Sequence, residues 1–81
     1  MALTELKLAL LTAEGKKVFG ENISRLRYKR KLTQDQLAQK CGLTLRYIQM
    51  IEAGTKFPRL NTLRALTHSL DCEWNDLFAK L

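Results

Sequence analysis

Residues 33–54, TQDQLAQKCGLTLRYIQMIEAG, constrain this chain more than any other stretch, because one glycine divides two short helical patterns. Thr33 suits a helix N-cap, where its hydroxyl accepts a free N–H of the first turn. Gln36, three residues on, reaches back to complete a capping box. Leu37, Ala38 and Cys41 then lie close to one face at helical spacing. Gly42 stands where the first helix should end in a left-handed residue, at little steric cost because it lacks Cβ. Leu43 plugs the corner, Thr44 offers a second N-cap, Ile48 and Ile51 carry the buried stripe of the second helix, and Gly54 closes it. The turn has the length that a helix-turn-helix requires.

The second helix is informative for what it leaves outside. With Ile48 and Ile51 pointing inward, Arg46, Gln49, Met50 and Ala53 fall on the opposite side. A uniformly charged face would be ordinary solvated surface. A long cation and an amide near the start of an exposed helix instead suit base edges in a major groove, Arg toward guanine and Gln toward adenine. The charge agrees: +6 with a pI near 9.7 favours a polyanionic partner, with nucleic acid ahead of a membrane surface.

Other classes are disfavoured. Cys41 and Cys72 sit on predicted helices without metal spacing and read as reduced thiols of a cytoplasmic protein. His68 has no partner for a catalytic dyad or a metal site, so no enzyme, cofactor or metal is implied. No apolar run approaches the roughly 20 residues of a membrane span, and Glu5 and Lys7 interrupt the first leucines against a signal-peptide pattern.

The motif residues, together with their flanks, resemble the Cro and phage-repressor (XRE-like) helix-turn-helix family. The matching pattern runs I-x-x-L-R (Ile23, Leu26, Arg27), L-T-Q-x-Q-L-A (Leu32 to Ala38), C-G-L-T-x-x-x-I (Cys41 to Ile48) and I-E-x-G (Ile51 to Gly54). It continues into P-x-L-x-T-L from Pro58 and L-D-x-x-x-x-D-L-F from Leu70, so the likeness covers roughly residues 17 to 79. It implies an all-α, compact five-helix lambda-repressor-like DNA-binding domain over residues 16–81, with the motif at 33–54 and a C-terminal dimerisation helix. Two departures stand out: Asp71 where the family usually ends a helix in Gly, and Glu73 where it usually has a Ser or Thr cap.

Outside that core, residues 1–15 form an N-terminal extension. Leu3, Leu6 and Leu10 share one helical face, which predicts a short amphipathic helix ending at Gly15. Lys16 to Lys31 form the next helix, with Phe19, Ile23 and Leu26 facing the core, Gly20 as a weak point and a cationic end that suits the helix dipole. Family members generally pair the Arg at position 27 with the Glu at position 52. A half-buried Glu52 beside Ile51 requires such a partner, so an Arg27–Glu52 ion pair is expected to tie the first helix to the recognition helix. Leu60, Leu63, Leu66 and Leu70 mark the fourth helix. Trp74, Leu77, Phe78 and Leu81 mark the last, whose face is too apolar for a lone short helix and should pack partly inward and partly against a second subunit.

The resemblance therefore implies a sequence-specific transcriptional regulator that binds double-stranded DNA as a homodimer, reading half-sites roughly 34 Å apart on a partly palindromic operator. Leu45, Arg46, Gln49 and Met50 are the expected base readers, although Leu45 and Met50 stand where many relatives carry polar residues. Gln34 resembles the family's phosphate anchor. Thr33, Thr44 and Tyr47 add hydroxyls, Lys56 and Arg59 flank the backbone-following loop, and Asn61 reads either as a phosphate contact or as a cap. Phe57 reads as packing. Length and architecture resemble stand-alone phage repressors or restriction–modification controllers. The alternative is an antitoxin-like protein-interaction module with secondary DNA binding. Nonspecific binding by charge is a third reading, and contact with RNA polymerase or another protein is left open.

Overall fold

In the computed structural model, residues 12–81 are described; the helix expected over the first residues lies outside them except for its end. Five helices follow in order: α1 (Ala13–Lys29), α2 (Gln34–Cys41), α3 (Leu45–Glu52), α4 (Leu60–Leu70) and α5 (Trp74–Leu77). The described residues contain no strand. None of their helices is long and apolar enough to cross a membrane.

Each helix begins and ends for a local chemical reason. Helix α1 starts at Ala13 and not at Lys16, because the Thr12 hydroxyl accepts the Gly15 N–H at 2.9 Å. Gly15 thus belongs to a capped first turn instead of ending a preceding helix. The α1 helix stops at Lys29, with Lys31 at φ +58°. The predicted capping box opens α2: the Gln36 N–H donates to Thr33 Oγ1 at 3.0 Å and the Thr33 N–H to Gln36 Oε1 at 2.8 Å. Gly42 closes α2 at φ +69°, and the Leu43 N–H returns to the Ala38 carbonyl at 2.8 Å. Thr44 caps α3 by accepting the Tyr47 N–H at 3.1 Å. Asp71 ends α4 in the left-handed conformation, φ +48°. At α5 the Asp76 carboxylate reaches back to accept the Glu73 N–H at 2.9 Å, the reciprocal bond of a capping box.

The apolar stripes meet in one core: Phe19, Ile23 and Leu26 of α1; Leu37 and Ala38 of α2; Ile48 and Ile51 of α3; Leu63, Leu66 and Leu70 of α4; and Leu77 of α5. Phe57 packs edge-on against Phe19 at 4.9 Å between centroids, the packing role expected of it. The C-terminal end departs from its periodicity. Helix α5 stops at Leu77, and Lys80 adopts φ +66°. Leu77 is fully buried, so this member of the expected dimer seam belongs to the core. The buried Asn22 side chain explains the stop, donating to the carbonyls of Leu77 at 2.9 Å and Ala79 at 2.8 Å.

Two contacts along α1 and at its end fix its neighbours, one with α3 and one with α4. A Cβ built at Gly20 would meet the carbonyl oxygens of Ile51 and Glu52 at 2.5 and 2.6 Å. Only a glycine lets the helices approach this closely. At the far end of α1, Arg30 donates to the Leu70 carbonyl at 2.8 Å and the Asp71 carbonyl at 2.7 Å. This cation caps the C-terminal end of α4, a role beyond complementing the dipole of its own helix.

Candidate nucleic-acid interface

Helix α3 buries Ile48 and Ile51 completely and turns Arg46 and Gln49 to solvent. Leu45, at its tip, is 39% exposed, and Met50 is half-buried. The four expected base readers therefore lie along the side of α3 away from the core stripe. Arg46 and Gln49 are fully available there, and Met50 is only partly so. Tyr47 is half-buried and packs against the core, so only its outer part is free for a backbone contact.

What fixes this helix is a buried charge network. Arg27 Nε donates to Glu52 Oε2 at 2.8 Å and Arg27 Nη2 to Oε1 at 2.9 Å, a bidentate pair whose side chains are 7% and 6% exposed. Ser24 Oγ donates to the same Oε1 at 2.6 Å and Gln34 Nε2 at 3.2 Å. The remaining Arg27 nitrogen, Nη1, donates to the Leu32 carbonyl at 2.8 Å. No buried side-chain nitrogen or oxygen among the described residues lacks a partner. The Glu52 hydrogen bond raises the pKa of Arg27 above its ordinary value. Burial pushes the Glu52 carboxyl upward, but hydrogen bonds from Arg27, Ser24 and Gln34 outweigh it and hold the group below the usual carboxylate value. Three helices thus converge on one ionised carboxylate.

The expected phosphate contacts divide by how they are held. The hydroxyls of Thr33 and Thr44 accept backbone N–H groups, and each keeps its own O–H to donate outward. Gln34 uses one amide N–H on Glu52, which leaves the second for an anion. Lys56 and Arg59 are exposed on the loop after α3, which the Thr55 hydroxyl ties back by donating to the Met50 carbonyl at 3.0 Å. Arg59 is also the N-cap residue of α4 but makes no side-chain cap. Asn61 is exposed, and its Oδ1 accepts the Thr62 N–H at 2.9 Å, so its NH₂ is the group left to meet a phosphate. At the C-terminal end, Trp74 is 39% exposed and stacks on the half-buried Phe78, with ring centroids 6.0 Å apart; Leu81 is half-buried.

Ser24 and the double duty of Gln34 were not anticipated. The available signal was Ser24 one helical turn before Arg27, on the same side of α1. Both cysteines are free, and burial raises each thiol pKa, which makes them poor nucleophiles. No group of His, Cys, Asp and Glu among the described residues could hold a metal ion.

A capped helix pair joined at a left-handed glycine, its second helix locked by a carboxylate and presenting Arg and Gln outward, defines a helix-turn-helix DNA-binding domain. The helix-turn-helix family model matches residues 23–77. The chain belongs to this family, in its Cro and phage-repressor (XRE-like) branch, whose members are DNA-binding regulators and not enzymes. It is 43% identical over 51 residues to the immunity repressor protein of Bacillus phage phi105, a match covering 63% of this chain and only 35% of that protein. It is 33% identical over 55 residues to an uncharacterized HTH-type transcriptional regulator, y4dJ, of Sinorhizobium fredii, covering 68% of this chain and 71% of the relative. The crystal structure of the restriction–modification controller protein C.AhdI from Aeromonas hydrophila superposes with a TM-score of 0.75 at 32% identity, covering 78% of this chain and 96% of that one.

Proposed function

We propose that this chain is a sequence-specific transcriptional regulator of the cytoplasm that reads a partly palindromic operator as a homodimer. The observation that carries the reading is α3 itself: its inner stripe is fully buried, Arg46 and Gln49 are exposed, and Glu52 locks its angle to α1 and α2. Arg46 and Gln49 supply hydrogen-bonded base contacts, with Leu45 and Met50 against thymine methyls. Thr33, Gln34, Thr44, Tyr47, Lys56, Arg59 and Asn61 hold the backbone. Trp74, Phe78 and Leu81 contribute to the subunit seam, without Leu77. The likeness to a phage repressor and a restriction–modification controller favours a small regulator that acts through its own concentration.

The test is selection of bound duplexes from a random pool, followed by two variants. Arg46→Ala should cost about 1–3 kcal/mol and relax preference at one base pair per half-site. Lys56→Ala should weaken all sequences alike and make the salt dependence shallower by about one unit. No enriched sequence, or uniform weakening by Arg46→Ala, would refute the base-reading assignment.

A further inference from the structure

An open groove runs beside α3, with Gln49 and Glu52 on one wall and Tyr28, Lys31, Thr33 and Gln34 on the other. Two of these residues have no part in the site so far. Tyr28 is 71% exposed, the most exposed large apolar side chain in the described structure, and the Arg27 guanidinium lies 4.5 Å from its ring centroid. The buried network that orients α3 therefore also steadies this ring. Lys31 is exposed and holds φ +58°, a conformation that glycine adopts without strain and lysine does not. A side chain carried at this cost on the rim of the groove points to a use for the side chain.

We infer that Tyr28 and Lys31 extend the DNA interface, holding the phosphate backbone of the strand that passes over Thr33 and Gln34 while Gln49 enters the groove. The inference rests on the regulator reading above. The geometry is economical: Tyr28 and Lys31 line the same groove as Thr33 and Gln34, so a backbone that reaches the Thr33 hydroxyl and the outer Gln34 N–H passes beside them. Lys31 then contributes a charge contact with counterion release, and Tyr28 a neutral hydrogen bond from its hydroxyl.

The experiment measures affinity against salt concentration on two probes: the duplex enriched from a random pool by the parent protein, and an unrelated duplex of equal length. Lys31→Gln keeps the length of the side chain and removes its charge, while Lys31→Gly also relieves the left-handed backbone. Thermal melting first establishes that both fold, with Lys31→Gly at or above the parent. Both should make the slope of log affinity against log salt shallower by about 0.9 on either probe. Tyr28→Phe should weaken binding by about 2- to 10-fold with the slope unchanged. Lys80→Gly is the control. It removes the same charge from another left-handed lysine, φ +66°, outside the groove, and should keep the parental slope. Parental slopes in both Lys31 variants, or an equal change in Lys80→Gly, would overturn the inference while leaving the regulator reading in place. A parent that binds neither duplex would overturn both.

Discussion

Replacing Gly20 by Ala sets two physical effects against each other, and the structure decides which is larger. Within a helix, Gly→Ala is favourable by about 1 kcal/mol because the unfolded chain has less freedom to lose. From sequence alone the substitution should therefore stabilise α1. The added Cβ, however, would lie 2.5 Å from the Ile51 carbonyl oxygen, 2.6 Å from that of Glu52 and 2.9 Å from the Glu52 carbonyl carbon. All three are backbone atoms, so no side-chain rotation relieves the contact. The helices must part by about 1 Å, and overpacking of this kind costs about 1–3 kcal/mol, here toward the upper end. The displaced segment carries Glu52, so the separation also stretches the bidentate bonds to Arg27, now 2.8 and 2.9 Å. The net expectation is a loss of about 2 kcal/mol, or roughly 8–16 °C in Tm for a domain of this size. Thermal melting of the parent and Gly20→Ala followed by far-ultraviolet circular dichroism measures it directly. A variant melting at or above the parent would mean that α1 and α3 are not in backbone contact, and the account of how α3 is held would fail.

Two further predictions address the charge network. Arg27→Ala leaves Glu52 with Ser24 and Gln34 but no cation, and should cost about 3 kcal/mol, measured as a fall in the urea midpoint at unchanged m-value. A midpoint equal to the parent's would show the pair to be energetically silent. Because the folded-state pKa of Glu52 is depressed, its contribution is fully present above about pH 4.3, the unfolded value, and disappears as pH falls through the folded value. The parent should therefore lose more stability than Glu52→Gln between about pH 5 and pH 3; parallel curves would contradict that sign.

What the sequence disclosed was local. The Thr33–Gln36 box, the Gly42 corner and the Ile48–Ile51 stripe depend on residues within a few positions of one another, and all three stand as read. The Arg27–Glu52 pair spans 25 residues, yet it too was accessible, because a half-buried carboxylate demands a cation and the family pattern names one. Gly20 was legible only as a flaw in a helix, since its value depends on the distance to another helix. Gly15 was misplaced because a glycine near an expected helix end is a reasonable stop, whereas Thr12 caps a helix that begins earlier. Periodicity over Trp74 to Leu81 carried the last helix too far, because Asn22, more than fifty residues away, claims the Leu77 and Ala79 carbonyls. The Gly20 and C-terminal misses come from contacts between elements distant in sequence, which no spacing rule contains, whereas the Gly15 miss is local, a threonine cap overlooked beside a glycine.

The distribution of order across the interface bears on how specificity arises. Arg46 and Gln49 are long, exposed side chains, and flexible groups alone discriminate bases poorly, since either can adjust to a displaced partner. On the proposed reading, their selectivity depends on the helix arriving at one angle and depth. Gly20 sets the depth by permitting backbone contact, and Glu52 sets the angle by accepting from both α1 and α2. Gln34, the expected phosphate anchor, donates to the same oxygen as Ser24 and Arg27. The element proposed to grip the DNA backbone and the element proposed to read the bases therefore cannot move independently. A duplex docked through the one meets the other in a fixed register, and substitutions in this buried cluster should alter discrimination among sequences even though none of its carboxylate or guanidinium atoms faces a base.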